Sequence, residues 1–221
     1  MSNLIAIVGP PGSGKSTSIQ SLDPKTTYLI NTALKELPFK GSKKLYNTEN
    51  KNYFEPLSAK EVIDKLKVIN EKALHIKDVI VEDANYLMSF TLINKAMETG
   101  FTKFSLMAKD MLNLIQDSKK FRSDLNIYYF SHSETINDGD DIVSHKMKTS
   151  GKVIDTQIVL EGLFTVVLYT LVETKGDSTT YSFVTNNYGK IPAKSPYGMF
   201  KDLKIENSLK IVSETVREFY N

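Results

Sequence analysis

The sequence predicts an α/β fold with a mostly parallel twisted sheet, flanking helices and an antiparallel hairpin at the C-terminal edge. Over the first two thirds of the 221-residue chain, apolar segments of strand length alternate with longer segments of helical periodicity. A glycine-rich loop follows the first strand-like segment. Near the end of the chain, two β-rich segments are joined by a turn at residues 175–178, which is typical of a hairpin.

The predicted elements follow one another without an internal repeat or a linker, so we expect one domain over residues 1–221. Ser58 and Glu61 have capping-box spacing before a helical segment. Residues 37–52 are expected to be irregular, and the charged residues 135–152 are expected to form a mobile loop. The predicted strands are 4–8, 26–30, 78–83, 126–130, 165–172 and 179–185; the predicted helices are 17–22, 61–74, 84–99, 101–121 and 208–220.

Composition excludes several classes of site. The chain has no cysteine, so disulfides, thiolate nucleophiles and cysteine-based zinc sites are excluded. No apolar run approaches the roughly 18 residues of a membrane span, and the first strand begins by residue 4, which leaves no room for a signal peptide. We therefore expect a cytoplasmic protein that does not enter a membrane. A net charge of +2 neither requires nor excludes a nucleic-acid partner.

The glycine-rich loop fits the phosphate-binding pattern G-x-x-x-x-G-K-[ST] between a strand and a helix. Its glycines let successive N–H groups point at a polyphosphate, and the helix N-terminus adds partial positive charge. Lys15 can reach the β- and γ-phosphates, and the Ser16 hydroxyl can bind Mg²⁺. The sequence thus predicts a site for a nucleoside triphosphate with Mg²⁺. The loop residues are Gly9, Pro10, Pro11, Gly12, Ser13, Gly14, Lys15, Ser16 and Thr17.

Two acids, Glu82 and Asp83, end a buried strand. Adjacent carboxylates are costly to bury unpaired, so a nearby metal would account for them. One is expected to orient the Mg²⁺ water shell and the other to polarise the attacking water, in an order that the sequence leaves open. Strand alternation places the two side chains on opposite faces unless the strand ends between them.

Several segments together resemble phage-encoded RecA-like ATPases of the single-strand-annealing and recombination group, which are AAA-type ATP-binding proteins. Residues 9–17 match the phosphate loop of that group, and residues 79–88 are similar to its second motif, although Glu82 stands where the group more often has Asp. Residues 129–134 resemble its sensor strand, and residues 193–200 and 205–207 resemble its C-terminal signature.

This resemblance implies an Mg²⁺-dependent ATPase that acts on single-stranded DNA as a homo-oligomer, with ATP between subunits. It implies that His132 donates a hydrogen bond to the γ-phosphate, although His132 as a simple strand cap is an alternative. The other histidines, His75 and His145, have no partners at metal spacing and are interpreted as non-catalytic.

Residues 194–198 resemble the K-x-R-x-G segment with which hexameric RecA-like motors reach the ATP of a neighbouring subunit. Pro196 stands at the arginine position, so Lys194 is the expected trans-acting charge, with an ordinary surface lysine as the alternative. The resemblance also places DNA contacts in the loop 135–152. The candidate DNA ligands are Lys146, Lys148 and Lys152.

Two other functions stay open. A nucleotide kinase would have a similar phosphate loop, but it usually clamps the transferred phosphoryl group with several arginines, and this chain has only Arg122 and Arg217. The second is an ATP-gated loading factor with weak turnover that delivers a helicase or annealing protein; the sequence does not separate it from the first hypothesis. A single-strand-binding or annealing protein is an expected partner in either case.

Overall fold

The computed structural model describes residues 1–220, apart from the side chains of Lys152 and Val153. Its strands are β1 (Asn3–Val8), β2 (Thr27–Asn31), β3 (Tyr53–Phe54), β4 (Asp78–Glu82), β5 (Asn126–Ser131), β6 (Ser133–Asp138), β7 (Asp141–Met147), β8 (Val166–Lys175), β9 (Ser178–Val184) and β10 (Lys204–Glu206). Its α-helices are α1 (Ser42–Leu45), α2 (Ala59–Lys72), α3 (Asn85–Asn94), α4 (Thr102–Ser118), α5 (Lys152–Gln157) and α6 (Leu209–Tyr220), with 3-10 helices at Ser16–Ser21 and Leu160–Leu163.

Eight of these strands form one sheet in the order β10-β9-β8-β1-β5-β4-β2-β3. The six strands from β8 to β3 run parallel, and β9 and β10 add an antiparallel edge. The expected hairpin is therefore present, with β8 and β9 paired from Tyr169–Val184 to Lys175–Ser178.

Strand β1 lies at the centre of the sheet and is buried on both faces, which explains its continuous apolar sequence. Leu4, Ala6 and Val8 face a core formed with α2, α3 and α4. Ile5 and Ile7 face a second core, formed with the 3-10 helix Ser16–Ser21 and α6. The helices expected at 61–74, 84–99, 101–121 and 208–220 appear as α2, α3, α4 and α6.

The loop expected at residues 135–152 is largely a β-hairpin, which corrects that prediction. Strands β6 and β7 pair from Ser133–Met147 to Asp138–Asp141, around a turn at Gly139. Polar strands without a buried face lack the alternation on which strand prediction depends, and most of β6 is exposed. The helix expected after the phosphate loop is a six-residue 3-10 helix, which limits the dipole available there.

A buried polar network attaches α6 to the sheet edge opposite the phosphate loop. Asp78 is 3% exposed, and its Oδ1 accepts hydrogen bonds from Ser213 Oγ at 2.7 Å and Tyr128 OH at 3.2 Å. Arg217 donates to Asp78 Oδ2 at 3.1 Å and to the Lys77 carbonyl at 2.7 Å. This arginine is therefore committed to the fold.

The other arginine, Arg122, is also structural. Its guanidinium donates to the carbonyls of Ile69 at 3.0 Å and Asn70 at 3.2 Å, and it also contacts the Ile76 carbonyl. It thereby satisfies carbonyl groups at the C-terminal end of α2. Neither arginine lines the cavity at the phosphate loop.

Replacing Arg217 with methionine should destabilise the protein by about 2–3 kcal/mol, because the buried Asp78 carboxylate loses its cationic partner. Urea unfolding measures this change. The matched control is Lys210→Met on the same helix, where an exposed side chain lies 4.0 Å from Glu214, and its effect should stay below about 0.5 kcal/mol. Equal effects of the two substitutions would contradict the assignment.

Candidate nucleotide-binding site

The strand register brings the predicted site residues to one edge of the sheet. In the parallel pairs, Val8 lies opposite Ser131 of β5 and Tyr169 of β8. Strand β4 lies on the other side of β5, with Val81 opposite Tyr129. The phosphate loop, the acid pair and the polar end of β5 therefore meet where their strands end, although long segments of chain separate them.

The phosphate loop is held by contacts with the strands beside it. Gly9 donates its N–H to the Ser131 carbonyl at 3.2 Å, and the Ser133 N–H donates to the Gly9 carbonyl at 3.2 Å. The Thr170 hydroxyl donates to Ser13 Oγ at 2.7 Å. Gly14 has a φ of 93°, and a Cβ at this position would lie 2.1 Å from Asn207 Nδ2, so only glycine fits.

Lys15 folds back over its own loop. Its Nζ donates to the carbonyls of Gly9 at 2.7 Å and Pro10 at 3.0 Å, and the residue is 5% exposed. Burial lowers the pKa of Lys15 from 10.5 to about 8, against the opposing negative charges of Asp83 and Glu82. A polyphosphate would replace these carbonyls as the partner of the ammonium group and would favour its charged form.

The two acids converge although strand alternation would separate them. Strand β4 ends at Glu82, and Asp83 takes a left-handed conformation with a φ of 50°. This turn lets the Lys35 ammonium contact both carboxylates, Asp83 Oδ2 directly and Glu82 Oε1 at 3.3 Å. Both acids are almost fully buried. Burial and then the charge of Asp83 raise the pKa of Glu82, while Lys35 and Ser16 oppose this shift.

Their neighbours differ, which distinguishes the two acids. The Ser16 hydroxyl donates to Glu82 Oε1. Asp83 Oδ1 lies 3.6 Å from His132 Nε2. Glu82 therefore adjoins the phosphate loop, and Asp83 adjoins the end of β5.

His132 is oriented by the first turn of α3. Its backbone N–H donates to Asn85 Oδ1 at 3.1 Å, and its ring meets the Tyr86 ring edge-on at 5.6 Å between centroids. Burial, followed by the positive charge of Lys15, lowers the pKa of His132, so the imidazole is neutral at neutral pH. A neutral imidazole has one N–H donor available for a phosphate oxygen.

A cavity of about 730 Å³, large enough for a nucleotide, is lined by residues 11–17 of the phosphate loop and by His132. Glu82 and Asp83 do not line it and lie buried behind Ser16 and Lys35. The cavity wall contains groups that the sequence analysis missed: Lys35 and Glu36 after β2, Thr179 to Tyr181 on β9, and Asn207. Asn207 Nδ2 donates to the Gly14 carbonyl at 3.1 Å. The order of parallel strands could have placed Lys35 at this edge, because it follows the end of β2 by four residues.

The residues present fit a magnesium ion bound together with a polyphosphate. Within residues 1–220, Glu82 Oε2 and Asp83 Oδ1 are buried without a hydrogen-bond partner, and the Ser16 hydroxyl donates to the other carboxylate oxygen of Glu82. The described residues contain no cluster of three or more His, Asp or Glu side chains suited to a metal. One or two carboxylates with phosphate oxygens and water are the usual Mg²⁺ ligands.

Other predicted site residues lie elsewhere. Lys194 pairs with Val167 through backbone hydrogen bonds of 2.8 and 2.9 Å, and it does not line the cavity of its own protomer. Lys146 forms ion pairs with Glu134 at 3.1 Å and with Asp155. Lys148 is exposed, and the Lys152 side chain lies outside the described residues.

One known protein family matches most of the chain. Residues 1–197 match the AAA_24 family, described as an AAA domain. The chain belongs to this AAA-domain family. No curated protein sequence matches the chain. The AAA-domain assignment confirms the expected P-loop ATPase class and supports nucleotide binding and hydrolysis.

Two solved structures match this chain over most of its length. One is a KaiC-like protein from the hyperthermophilic archaeon Pyrococcus horikoshii OT3, with 11% identity, a TM-score of 0.50, and 84% of this chain and 78% of that chain covered. The other is the flagellar accessory protein FlaH from Methanocaldococcus jannaschii, with 14% identity, a TM-score of 0.46, and coverage of 85% and 79%. The RecA-like α/β fold predicted from the sequence is confirmed.

The low pKa of Lys15 predicts proton uptake when a nucleotide binds. At pH 8.5 free Lys15 is mostly neutral, because its pKa is about 8; a bound polyphosphate raises that pKa, so up to about one proton is taken up. At pH 7 Lys15 is already charged and uptake should be small. Calorimetry of ADP binding without magnesium, in buffers of different ionisation enthalpy, measures the difference.

The control for this experiment is Lys15→Arg, since an arginine stays protonated at both pH values. That variant should bind ADP without the pH-dependent uptake. Equal uptake by the wild type at pH 7 and pH 8.5, or uptake retained in the arginine variant, would show that another group titrates.

Proposed function

We propose that this protein is an Mg²⁺-dependent ATPase that acts on single-stranded DNA as a homo-oligomer, in phage recombination or replication. The observation that carries the ATPase proposal is the hydrogen bond from Ser16 of the phosphate loop to Glu82 at the end of β4. It brings together the hydroxyl of the phosphate loop that would bind Mg²⁺ and a buried carboxylate from a distant part of the sequence, as a site for a metal–nucleotide complex requires.

Each side chain then has a role that follows from its neighbours. Lys15 leaves the loop carbonyls and binds the β- and γ-phosphates, together with the loop N–H groups. Ser16 and Glu82 would hold the metal ion, which would supply positive charge to stabilise the negative charge on the phosphates. Asp83 accepts the proton of the attacking water, and neutral His132 donates a hydrogen bond to the γ-phosphate.

The β6–β7 hairpin is the proposed contact with single-stranded DNA. It leaves the sheet directly after His132, and the Lys148 N–H returns to the His132 carbonyl at 2.8 Å. A change at the γ-phosphate can therefore reach the base of the hairpin through one residue. Lys148 is exposed and is the candidate for a phosphate contact, whereas Lys146 is engaged in ion pairs. The acidic residues at the turn would repel DNA phosphates, so DNA contact is proposed at the base of the hairpin.

Assembly is proposed from the place of Lys194. This lysine lies beside β8 and outside the cavity of its own chain, so any contact with ATP has to be made in a neighbouring subunit. ATP between subunits would then receive Lys15 from one chain and Lys194 from the next. The resemblance to the phage group suggests the host cytoplasm as the location, and within the described residues no helix is long and apolar enough to cross a membrane.

The kinase alternative finds less support. Arg122 and Arg217 are both engaged in the fold, and neither lines the cavity, so a clamp of arginines from the same chain is missing in the described residues. The loading-factor alternative shares the site and differs in turnover and in the response to DNA.

The proposed function predicts ATP hydrolysis that single-stranded DNA stimulates. Lys15→Ala should lower turnover at least about 100-fold, because the principal cation on the transferred phosphoryl group is lost. Lys148→Ala should keep basal turnover and reduce stimulation equally for different DNA sequences, because a phosphate contact carries no base information. Steady-state phosphate release with and without DNA measures both effects.

The matched control is Lys120→Ala, an exposed lysine next to Asp117 and away from the cavity and the hairpin. It should change neither basal nor stimulated turnover. Hydrolysis that ignores DNA, together with phosphate transfer to a nucleotide acceptor, would replace this proposal with the kinase. Hydrolysis that ignores DNA without such transfer favours the loading factor.

The trans role of Lys194 predicts complementation between inactive subunits. Lys194→Ala assemblies and Lys15→Ala assemblies should each be inactive, while mixed assemblies should recover part of the activity, because some interfaces combine an intact Lys15 with an intact Lys194. Turnover measured across mixing ratios tests this. Full activity of Lys194→Ala alone, with no recovery on mixing, rules out the trans role.

A further inference from the structure

Lys35 is a cation of the site that no sequence motif marks. It lies in the segment that follows β2, where Asn31 Nδ2 donates to the Lys35 carbonyl at 2.8 Å and fixes the backbone. Its side chain is 42% exposed and lines the cavity together with the phosphate loop. The backbone of Lys35 is therefore anchored, and its side chain extends along the cavity wall.

The Lys35 ammonium occupies the corner where the proposed metal ligands meet. It contacts Asp83 Oδ2 and lies 3.3 Å from Glu82 Oε1. The same Glu82 oxygen accepts the Ser16 hydroxyl. A monovalent side-chain cation thus lies beside Glu82, which with Ser16 would hold Mg²⁺, and in contact with Asp83.

Charge balance explains this position. Two buried carboxylates without a nearby cation would be strongly destabilising, and Lys15 is turned toward the loop carbonyls. Lys35 compensates the acids while the cavity holds no nucleotide. Its flexible four-carbon stem carries a point charge that can move without a change in the backbone.

We propose that Lys35 is a second polyphosphate-binding lysine, which neutralises Glu82 and Asp83 in the nucleotide-free protein and contacts the terminal phosphate once a divalent cation at Ser16 and Glu82 compensates the charge of these acids. This inference rests on the proposed function, because it needs a metal–nucleotide complex in the cavity. When a divalent cation compensates the acids in its place, the Lys35 ammonium would be available to bind the polyphosphate.

The terminal phosphate is the expected partner because of where Lys35 lies. In phosphate loops of this type, the residue at the Ser16 position binds the Mg²⁺ that accompanies the β- and γ-phosphates. Lys35 contacts Asp83, and Asp83 Oδ1 lies 3.6 Å from Nε2 of His132, the proposed hydrogen-bond donor to the γ-phosphate. A triphosphate should therefore depend on Lys35, and a diphosphate should not.

Binding measurements on Lys35→Met test this inference. With Mg²⁺ present, its affinity for a non-hydrolysable ATP analogue should fall roughly ten-fold, the scale of one charge-assisted hydrogen bond, while its affinity for ADP changes less than about two-fold. Without nucleotide, its affinity for Mn²⁺ should rise several-fold, because a competing cation is gone. Calorimetry and electron paramagnetic resonance give the two readouts.

Three further variants keep the test decisive. Lys35→Gln retains a hydrogen-bond donor beside Asp83 if the methionine variant folds poorly, and it should lose analogue affinity in the same way. Lys35→Arg retains the charge and should restore most of the preference for the triphosphate. Lys40→Met, an exposed lysine of the same segment that does not line the cavity, should match the wild type.

The outcomes separate this inference from the proposed function. If the wild type binds neither nucleotide, the proposed function fails. If the wild type binds both, and Lys35→Met and Lys35→Gln lose analogue and ADP affinity equally or lose neither, only the role of Lys35 at the terminal phosphate fails. Unchanged Mn²⁺ affinity in Lys35→Met overturns its role as counter-ion of the acid pair.

Discussion

Two carboxylates buried at the end of β4 are the constraint on which the rest of the site depends. Glu82 and Asp83 have almost no contact with solvent, so their charges have to be compensated by the protein groups next to them. Both acids form ion pairs with Lys35, and Glu82 accepts a hydrogen bond from the Ser16 hydroxyl. Their negative charges also favour the charged form of the buried Lys15 and so oppose the lowering of its pKa. A metal–nucleotide complex would bring both positive and negative charge next to the two acids. Its binding would therefore rearrange the ion pairs of Lys35 and the hydrogen bond of Ser16.

Much of this architecture can be predicted from the sequence, because it depends on local patterns of residues. The phosphate loop and the apolar strands before Glu82 and His132 depend on residue type and spacing, and parallel strands bring their ends together. In the observed register, the phosphate loop, the acid pair and the polar end of β5 accordingly lie where neighbouring parallel strands end.

What the sequence does not reveal depends on conformation or on long-range contacts. The left-handed φ of Asp83 turns its carboxylate toward that of Glu82, and no local pattern signals that turn. Lys35 and Asn207 belong to the site only through folding, since neither lies in a motif for phosphate binding. The β6–β7 hairpin has little buried surface, so its strands lack the apolar alternation that would distinguish them from a loop.

Helix α6 is attached at both ends of the sheet, and this joins the end of the chain to the nucleotide site. Its C-terminal half is held through Arg217 and Asp78, while Asn207, just before its start, donates to the Gly14 carbonyl in the phosphate loop. Segments that share such ties tend to open as one cooperative unit. Fraying of α6 would therefore loosen the phosphate loop, and amide exchange in the two segments should be correlated. A fusion that disturbs α6 would then also weaken nucleotide binding.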